Sequence, residues 1–239
     1  MVTDPRTFGD NTTALFNVLQ ASADLGIKRV ISASSNQLYG FAGAPPLFVP
    51  VDENHPARPI NSYALSKLVG EQTAEYFNRT RGMEVLSFRI MGTRAPDELP
   101  EETAAMKDDA AGAAWLLWTR TDARDVATAC AQAVEVATVE PGVYNITGPR
   151  GDADPGPRCA RPLTVSTCAC AVAMDVPTAE LVATHFGDQT EVRGELEGFA
   201  SPLSTEKARK AFGYNPRHAW AEGELTLLEE VAETASARL

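Results

Sequence analysis

The chain has 239 residues, 44% of them hydrophobic, and a formal net charge of −11. That length suits one large domain, or one domain with a small lobe, and the composition is that of an ordinary globular protein. The acidic balance argues against nucleic acid or an anionic membrane surface as a partner, although a local pocket of opposite sign can still take a phosphate-bearing small ligand. No window approaches about 18 uninterrupted apolar residues, and Met1 to Arg6 form neither a basic nor an apolar leader region; the expectation is a cytoplasmic protein without membrane contact.

In chain order, Leu15, Val18, Leu19 and Leu25 predict an amphipathic helix over 11–25, ended by Gly26 and capped by Asp10 or Asn11. Lys28 to Ala33 follows as a short buried strand that breaks at Ser34-Ser35. The break puts hydroxyls at a strand's carboxyl end, where open α/β sheets keep their ligands. Residues 40–61 hold Pro45, Pro46, Pro50, Pro56 and Pro59 and read as a loop. A helix is predicted over 62–79, with Leu65, Leu68, Val69 and Tyr76 as its core face and Tyr63, Lys67, Gly70 and Ala74 on another.

Tyr63 and Lys67 stand four positions apart, so they share that second face. A phenol is a poor base at neutral pH, but an ammonium beside it, with a cationic cofactor ring nearby, stabilises the phenolate. Tyr63 is therefore a candidate proton acceptor, and Ser35 a candidate hydrogen-bond partner for the hydroxyl or carbonyl being transformed. Taken alone, Tyr-x-x-x-Lys also describes an ordinary pair on a helix surface.

Gly82-Met83 breaks the chain before a strand over Glu84 to Arg89. Residues 95–112 are acidic and alanine-rich and read as a solvated insertion. Asp125 reads as a structural carboxylate near a helix amino terminus, where carboxylates are favoured, or as a contact to a substrate-side loop. Residues 149–176 break the pattern and hold Cys159, Cys168 and Cys170, whereas Cys130 falls in a helical pattern. The cysteines show no zinc spacing, and the only histidines are His55, His185 and His218, so no metal site is expected. A last amphipathic helix carries Leu225, Leu228 and Val231.

The combination Ser34-Ser35-x-x-Leu38-Tyr39-Gly40, then Glu53, then Ser62-Tyr63-x-x-Ser66-Lys67-x-x-x-Glu71 resembles the extended short-chain dehydrogenase/reductase superfamily, the NAD-dependent epimerases and dehydratases. The resemblance implies an α/β fold: a partial Rossmann-like, doubly wound parallel sheet over 1–148, an irregular insertion over 149–176, and a small C-terminal α+β substrate lobe with the closing helices over 177–239. It gives Ser35 to substrate hydrogen bonding, Tyr63 to acid/base work and Lys67 to the nicotinamide ribose. It sets Ser34 and Asn11 beside the cofactor, NAD or NADP. It puts a short helix and a Gly-aromatic-x-Pro turn of the lobe at 204–216. The implied substrate is a sugar or sugar-nucleotide hydroxyl. Ser35-Asn36-Gln37 resembles the Ser-Asn-His run of uronate dehydrogenases, which would make Asn36 a substrate contact and the substrate a free sugar acid; Asn36 also reads as a turn residue.

Two departures qualify the resemblance. Arg89-Ile90-Met91-Gly92-Thr93 stands where the family carries an Asn-Pro or Asn-Val pair. No glycine-rich turn follows a strand and opens a helix: Gly40-Phe41-Ala42-Gly43 runs into Pro45-Pro46. The resemblance begins at the helix ahead of the family's fifth strand, implying that the nucleotide-binding half is missing. The strand over 28–33 would then have an open edge, which tends to pair with another chain, so a homodimer is one expectation. A truncated, non-catalytic interaction protein is the alternative to an enzyme.

Overall fold

The computed structural model describes residues 4–148, 174–194 and 196–218. Helix α1 (Asp4–Asp24) leads into strand β1 (Arg29–Ser35), a 3₁₀ turn over Asn36–Tyr39, and the short β2 (Phe48–Val49). Helix α2 (Ser62–Arg81), β3 (Glu84–Ile90), β4 (Thr93–Arg94), α3 (Leu99–Asp108), β5 (Thr121–Asp122), α4 (Ala123–Glu135) and β6 (Gly142–Ile146) follow. Beyond residue 173 come α5 (Thr178–His185), β7 (Glu191–Val192) and α6 (Glu206–Phe212).

The central sheet is parallel with order β1-β3-β6, in a register that sets Ser35 beside Ile90 and Ile90 beside Ile146. Alternation along β3 divides the core. Val85 packs toward α1 and α2 with Leu19, Ala74 and Phe77, while Leu86 and Phe88 face α4 and α6 with Ala129, Tyr144 and Phe212. This is the helix–sheet–helix layering expected of a doubly wound sheet. Strand β1 is the sheet's edge among the described residues, and its Val30 and Ile31 are only half-buried.

Helix α2 is bounded by local chemistry. The Asn61 side chain caps its amino terminus by accepting the Ala64 N–H at 2.8 Å, and Gly82 closes it in the left-handed region at φ +62°. Its packed face is not the one expected from the apolar residues. Leu65 and Tyr76 are exposed, whereas Ala64, Ser66, Gly70, Glu71, Ala74 and Phe77 are buried. The reason lies in the neighbours: β1 and β3 present Ser34 and Arg89 to α2, and α1 comes so close that a Cβ on Gly70 would lie 2.9 Å from Leu15. Small and polar residues match that surface better than leucine does.

Other expectations change as well. Helix α1 begins at Asp4, so Asp10 and Asn11 lie inside it rather than at its cap. The acidic stretch 95–112 contains α3, with Leu99, Thr103 and Met106 buried, and is not merely solvated. Helix α6 and Tyr214 pack on the central sheet beside β6 and α4 instead of in the lobe. The lobe is built from the proline loop and the later segment together: β2 pairs with β7, Val51 bridges to Leu203, and Leu38, Trp118, Leu181 and Phe186 share one core. Asp125 has the structural role expected of it, accepting the N–H groups of Arg217 and His218. Of the insertion inferred at 149–176, residues 149–173 with its three cysteines lie outside the described residues, as does the closing helix. No helix among the described residues is long and apolar enough to cross a membrane.

His55, in the proline loop, is 2% exposed and wedged against Tyr39, Phe41 and Phe48. Its Nε2 accepts the Leu47 N–H at 2.9 Å, which leaves the proton on Nδ1, 3.0 Å from the Pro56 carbonyl. Burial, with the charges of Arg58 and Arg193 adding to it, pushes its pKa below the usual histidine value. The unfolded chain therefore binds a proton that the folded chain refuses. The His55 contribution is fully present above about pH 6.5 and is lost as pH falls through the window below that value. We expect urea midpoints of the wild type to drop more steeply between pH 7.5 and 5 than those of His55→Gln; parallel profiles would refute this.

Candidate active site

A cavity of about 340 Å³ opens at the carboxyl ends of β1 and β3. Its walls are the Ser34–Gln37 turn, the first turn of α2, the segment from Ile90 to Arg94, and Trp115, Leu116 and Arg120. Each wall has a local cause. Ser35 is extended (φ −156°, ψ 143°) and caps the 3₁₀ turn by accepting the Gln37 N–H at 3.2 Å, while Gly40 closes that turn at φ +77°. A Cβ on Gly40 would fall 2.0 Å from the Arg58 carbonyl oxygen, so the chain can reverse here only with glycine.

Of the sequence-predicted site residues, Ser34, Ser35, Asn36, Tyr63 and Lys67 all line this one cavity. Lys67 Nζ donates to the Ala33 carbonyl at 2.8 Å and stands 5.5 Å from the centre of the Tyr63 ring. Burial lowers its pKa from the ordinary lysine value. Ser34 has its hydroxyl committed elsewhere, donating to Glu71 at 2.6 Å. Asn11 is not among the lining residues; its side chain donates to Ser66 Oγ at 2.9 Å, and Ser66 in turn donates to the Tyr63 carbonyl at 2.7 Å. Asn11 thus braces the backbone of α2 from behind.

Asn36 is the anomaly. It is 4% exposed, and neither its amide nitrogen nor its amide oxygen has a hydrogen-bond partner among the described residues. Buried side-chain amides are almost always paired, and an orphan costs about 1–3 kcal/mol.

Beneath the cavity runs a buried polar chain. Arg89 grips Glu71 with two bonds, Nε at 2.9 Å and Nη2 at 2.7 Å, and its Nη1 donates to Tyr39 Oη at 2.9 Å. Tyr39 donates to the Asn145 side chain at 2.8 Å, and the Asn145 N–H donates to Glu53 at 2.7 Å. Burial pushes the Tyr39 pKa up to about 12 despite the guanidinium beside it. Burial also works against the charge on Arg89, but the Glu71 carboxylate overrides it and holds the pKa above the usual arginine value. Through Ser34 and Glu71 this chain ties the end of β1 to α2, and so sets Ser35 relative to Tyr63.

Two side chains on the cavity wall escaped the sequence reading. Arg94 and Arg120 both line the cavity, and both are bound by Glu102 from α3. The available signal was a pair of arginines flanking an acidic helix, which reads as ordinary surface charge until the helix is seen to be packed.

The fold agrees with that of other proteins. Residues 1–147 match the family model described as the NAD dependent epimerase/dehydratase family. A uronate dehydrogenase of Pseudomonas putida is 38% identical over 82 residues, which cover 34% of this chain and 30% of that protein. A UDP-glucose 4-epimerase of Streptococcus mutans is 28% identical over 98 residues, 40% of this chain and 28% of that one. The matches take in about a third of the length of these curated relatives. Among solved structures, a short-chain dehydrogenase/reductase superfamily protein from Agrobacterium tumefaciens with bound NAD superposes with a TM-score of 0.58 at 20% identity, covering 98% of this chain and 75% of that one. With the family model spanning well over half of its length, the chain belongs to the NAD-dependent epimerase/dehydratase family.

Proposed function

We propose that the cavity carries out NAD-dependent oxidoreduction at a hydroxyl of a sugar or sugar nucleotide, with Tyr63 as the acid/base. Tyr63 accepts the proton of the substrate hydroxyl while the carbon beneath it gives up a hydride, and returns the proton when the reaction reverses. Ser35 accepts a bond from the Gln37 N–H and donates to no other group among the described residues, so its hydroxyl proton can go to the same oxygen. Lys67, fixed to the Ala33 carbonyl on the same helical face as Tyr63, stabilises the negative charge on the phenol oxygen and would hold the nicotinamide ribose. Bound NAD supplies the hydride acceptor. Lys67 is the residue of this wall that would hold the nicotinamide end, while a glycine turn to cradle the pyrophosphate is not found among the described residues.

The observation that carries this reading is the convergence of Ser35, Tyr63 and Lys67 on one cavity at the carboxyl end of the sheet. Asn36, on the wall beside Ser35, has a buried amide whose two polar atoms lack partners among the described residues, and a sugar hydroxyl could pair with it if the side chain turns toward the cavity. The likeness of Ser35-Asn36 to the uronate dehydrogenase run, and the 38% identity to one such enzyme, favour a free sugar acid as a second reading of the substrate. Asn36→Leu tests the role of the amide. The account expects the variant to be more stable than the wild type, by about 1–3 kcal/mol in urea, because the unpaired polar atoms are gone. It also expects the variant to bind sugar at least about tenfold more weakly. A variant that loses stability and keeps sugar affinity would show Asn36 to be a turn residue only.

A further inference from the structure

We propose that Arg94 and Arg120, clamped together by Glu102, form a subsite for an anionic group on the substrate, a carboxylate or a phosphate. The inference rests on reading the cavity as a sugar site. Arg94 sends Nε and Nη2 to Glu102 Oε1 at 2.7 and 2.6 Å, and Arg120 sends Nε and Nη2 to Oε2 at 3.0 and 2.8 Å. One carboxylate thus neutralises one of two guanidiniums. The carbonyls of Thr93 and Thr119 take a further N–H each, which leaves donors over on both arginines, since a guanidinium has five.

The surroundings strengthen the case. Arg120 is 6% exposed, and a charge so buried needs a reason beyond solubility. Burial lowers its pKa, whereas Glu102 is held below the usual carboxylate range by the two arginines in spite of its own desolvation, so the cluster keeps a net positive charge. The arginine stem has been given room: a Cβ on Gly92 would sit 3.1 Å from Arg120 Cδ. The backbone leading into it is strained, with Leu117 and Trp118 at φ 53° and 52°, both fully buried, and such strain is retained chiefly where a site requires it.

The lining as a whole points the same way. Among the described residues it includes three cationic side chains, Lys67, Arg94 and Arg120, and neither aspartate nor glutamate, in a chain whose formal net charge is −11. A positive pocket on an acidic molecule concentrates anions at that one place. Paired guanidiniums suit the planar or trigonal oxygens of a carboxylate or phosphate.

The test is binding by saturation-transfer NMR titration of the full chain with D-glucuronate, glucose 6-phosphate and glucose, without cofactor, in low salt. At least one anion is expected to bind about tenfold more tightly than glucose, and the better of the two tells a carboxylate site from a phosphate site. Arg120→Met and the more exposed Arg94→Met are each expected to remove that preference and leave glucose binding as it was. Raising the salt should erode the preference in the wild type only. Equal binding of all three sugars, absence of binding by both anions, or an unchanged preference in a folded Arg94→Met chain would overturn the proposal. Because no turnover is measured, an arginine-dependent preference in a chain that never oxidises a sugar would refute the oxidoreductase reading and leave the anion subsite standing.

Discussion

Tyr63→Phe is expected to lower turnover by about a hundred- to ten-thousand-fold, the range over which a positioned acid/base contributes. The substitution deletes one oxygen from a half-buried ring at the cavity wall and leaves the cap of α2, made by Asn61, in place. Stability and the affinity for NADH should change little. Formation of reduced nicotinamide with glucuronate and with UDP-glucose is the measurement. A variant that turns over as fast as the wild type would remove Tyr63 from the chemistry.

The second large effect is on stability. Glu71→Ala strands the Arg89 guanidinium, 6% exposed, and frees the Ser34 hydroxyl from its partner. Breaking a buried pair from one side costs about 3–5 kcal/mol, a large share of the about 5–15 kcal/mol that holds a domain together. The urea midpoint should fall accordingly. The double variant Glu71→Leu with Arg89→Met removes both charges and should recover part of the loss, because replacing a buried pair with apolar groups is often neutral. If Glu71→Ala lies within about 0.5 kcal/mol of the wild type, the pair contributes no more than a surface contact would. Since Glu71 lies one turn beyond Lys67 on α2 and reaches Ser34 next to Ser35, a milder Glu71→Gln should disturb catalysis along with stability.

Elements with a strong local signal were legible from the sequence. The apolar run ending in Ser34-Ser35 gave β1, prolines bounded the loop, and Gly82 marked the end of α2. The site wall was legible for the same reason: Ser35, Tyr63 and Lys67 are fixed by a strand end and a helix repeat, both local properties. What local signals do not carry is the identity of the neighbour. Leu65 and Tyr76 face outward because α2 meets α1 and a polar strand face, and nothing within α2 declares that. Arg94 and Arg120 reach the cavity only because α3 folds back to offer Glu102 to both, a contact between residues far apart in the chain. Asn36 could be read as a turn residue or a contact until its burial and its missing partners were known.

The most direct test of the central claim is a titration of the full chain with NADH, following energy transfer from tryptophan to the nicotinamide. Trp115 lines the cavity and Trp118 lies close behind it in the lobe core, so a bound nicotinamide would be within range of both. The account predicts saturable enhancement in the wild type and in Tyr63→Phe alike, with turnover lost only in the variant. Absence of saturable transfer up to millimolar NADH, in a chain shown to be folded, would contradict a cofactor-dependent site at Tyr63 and Lys67.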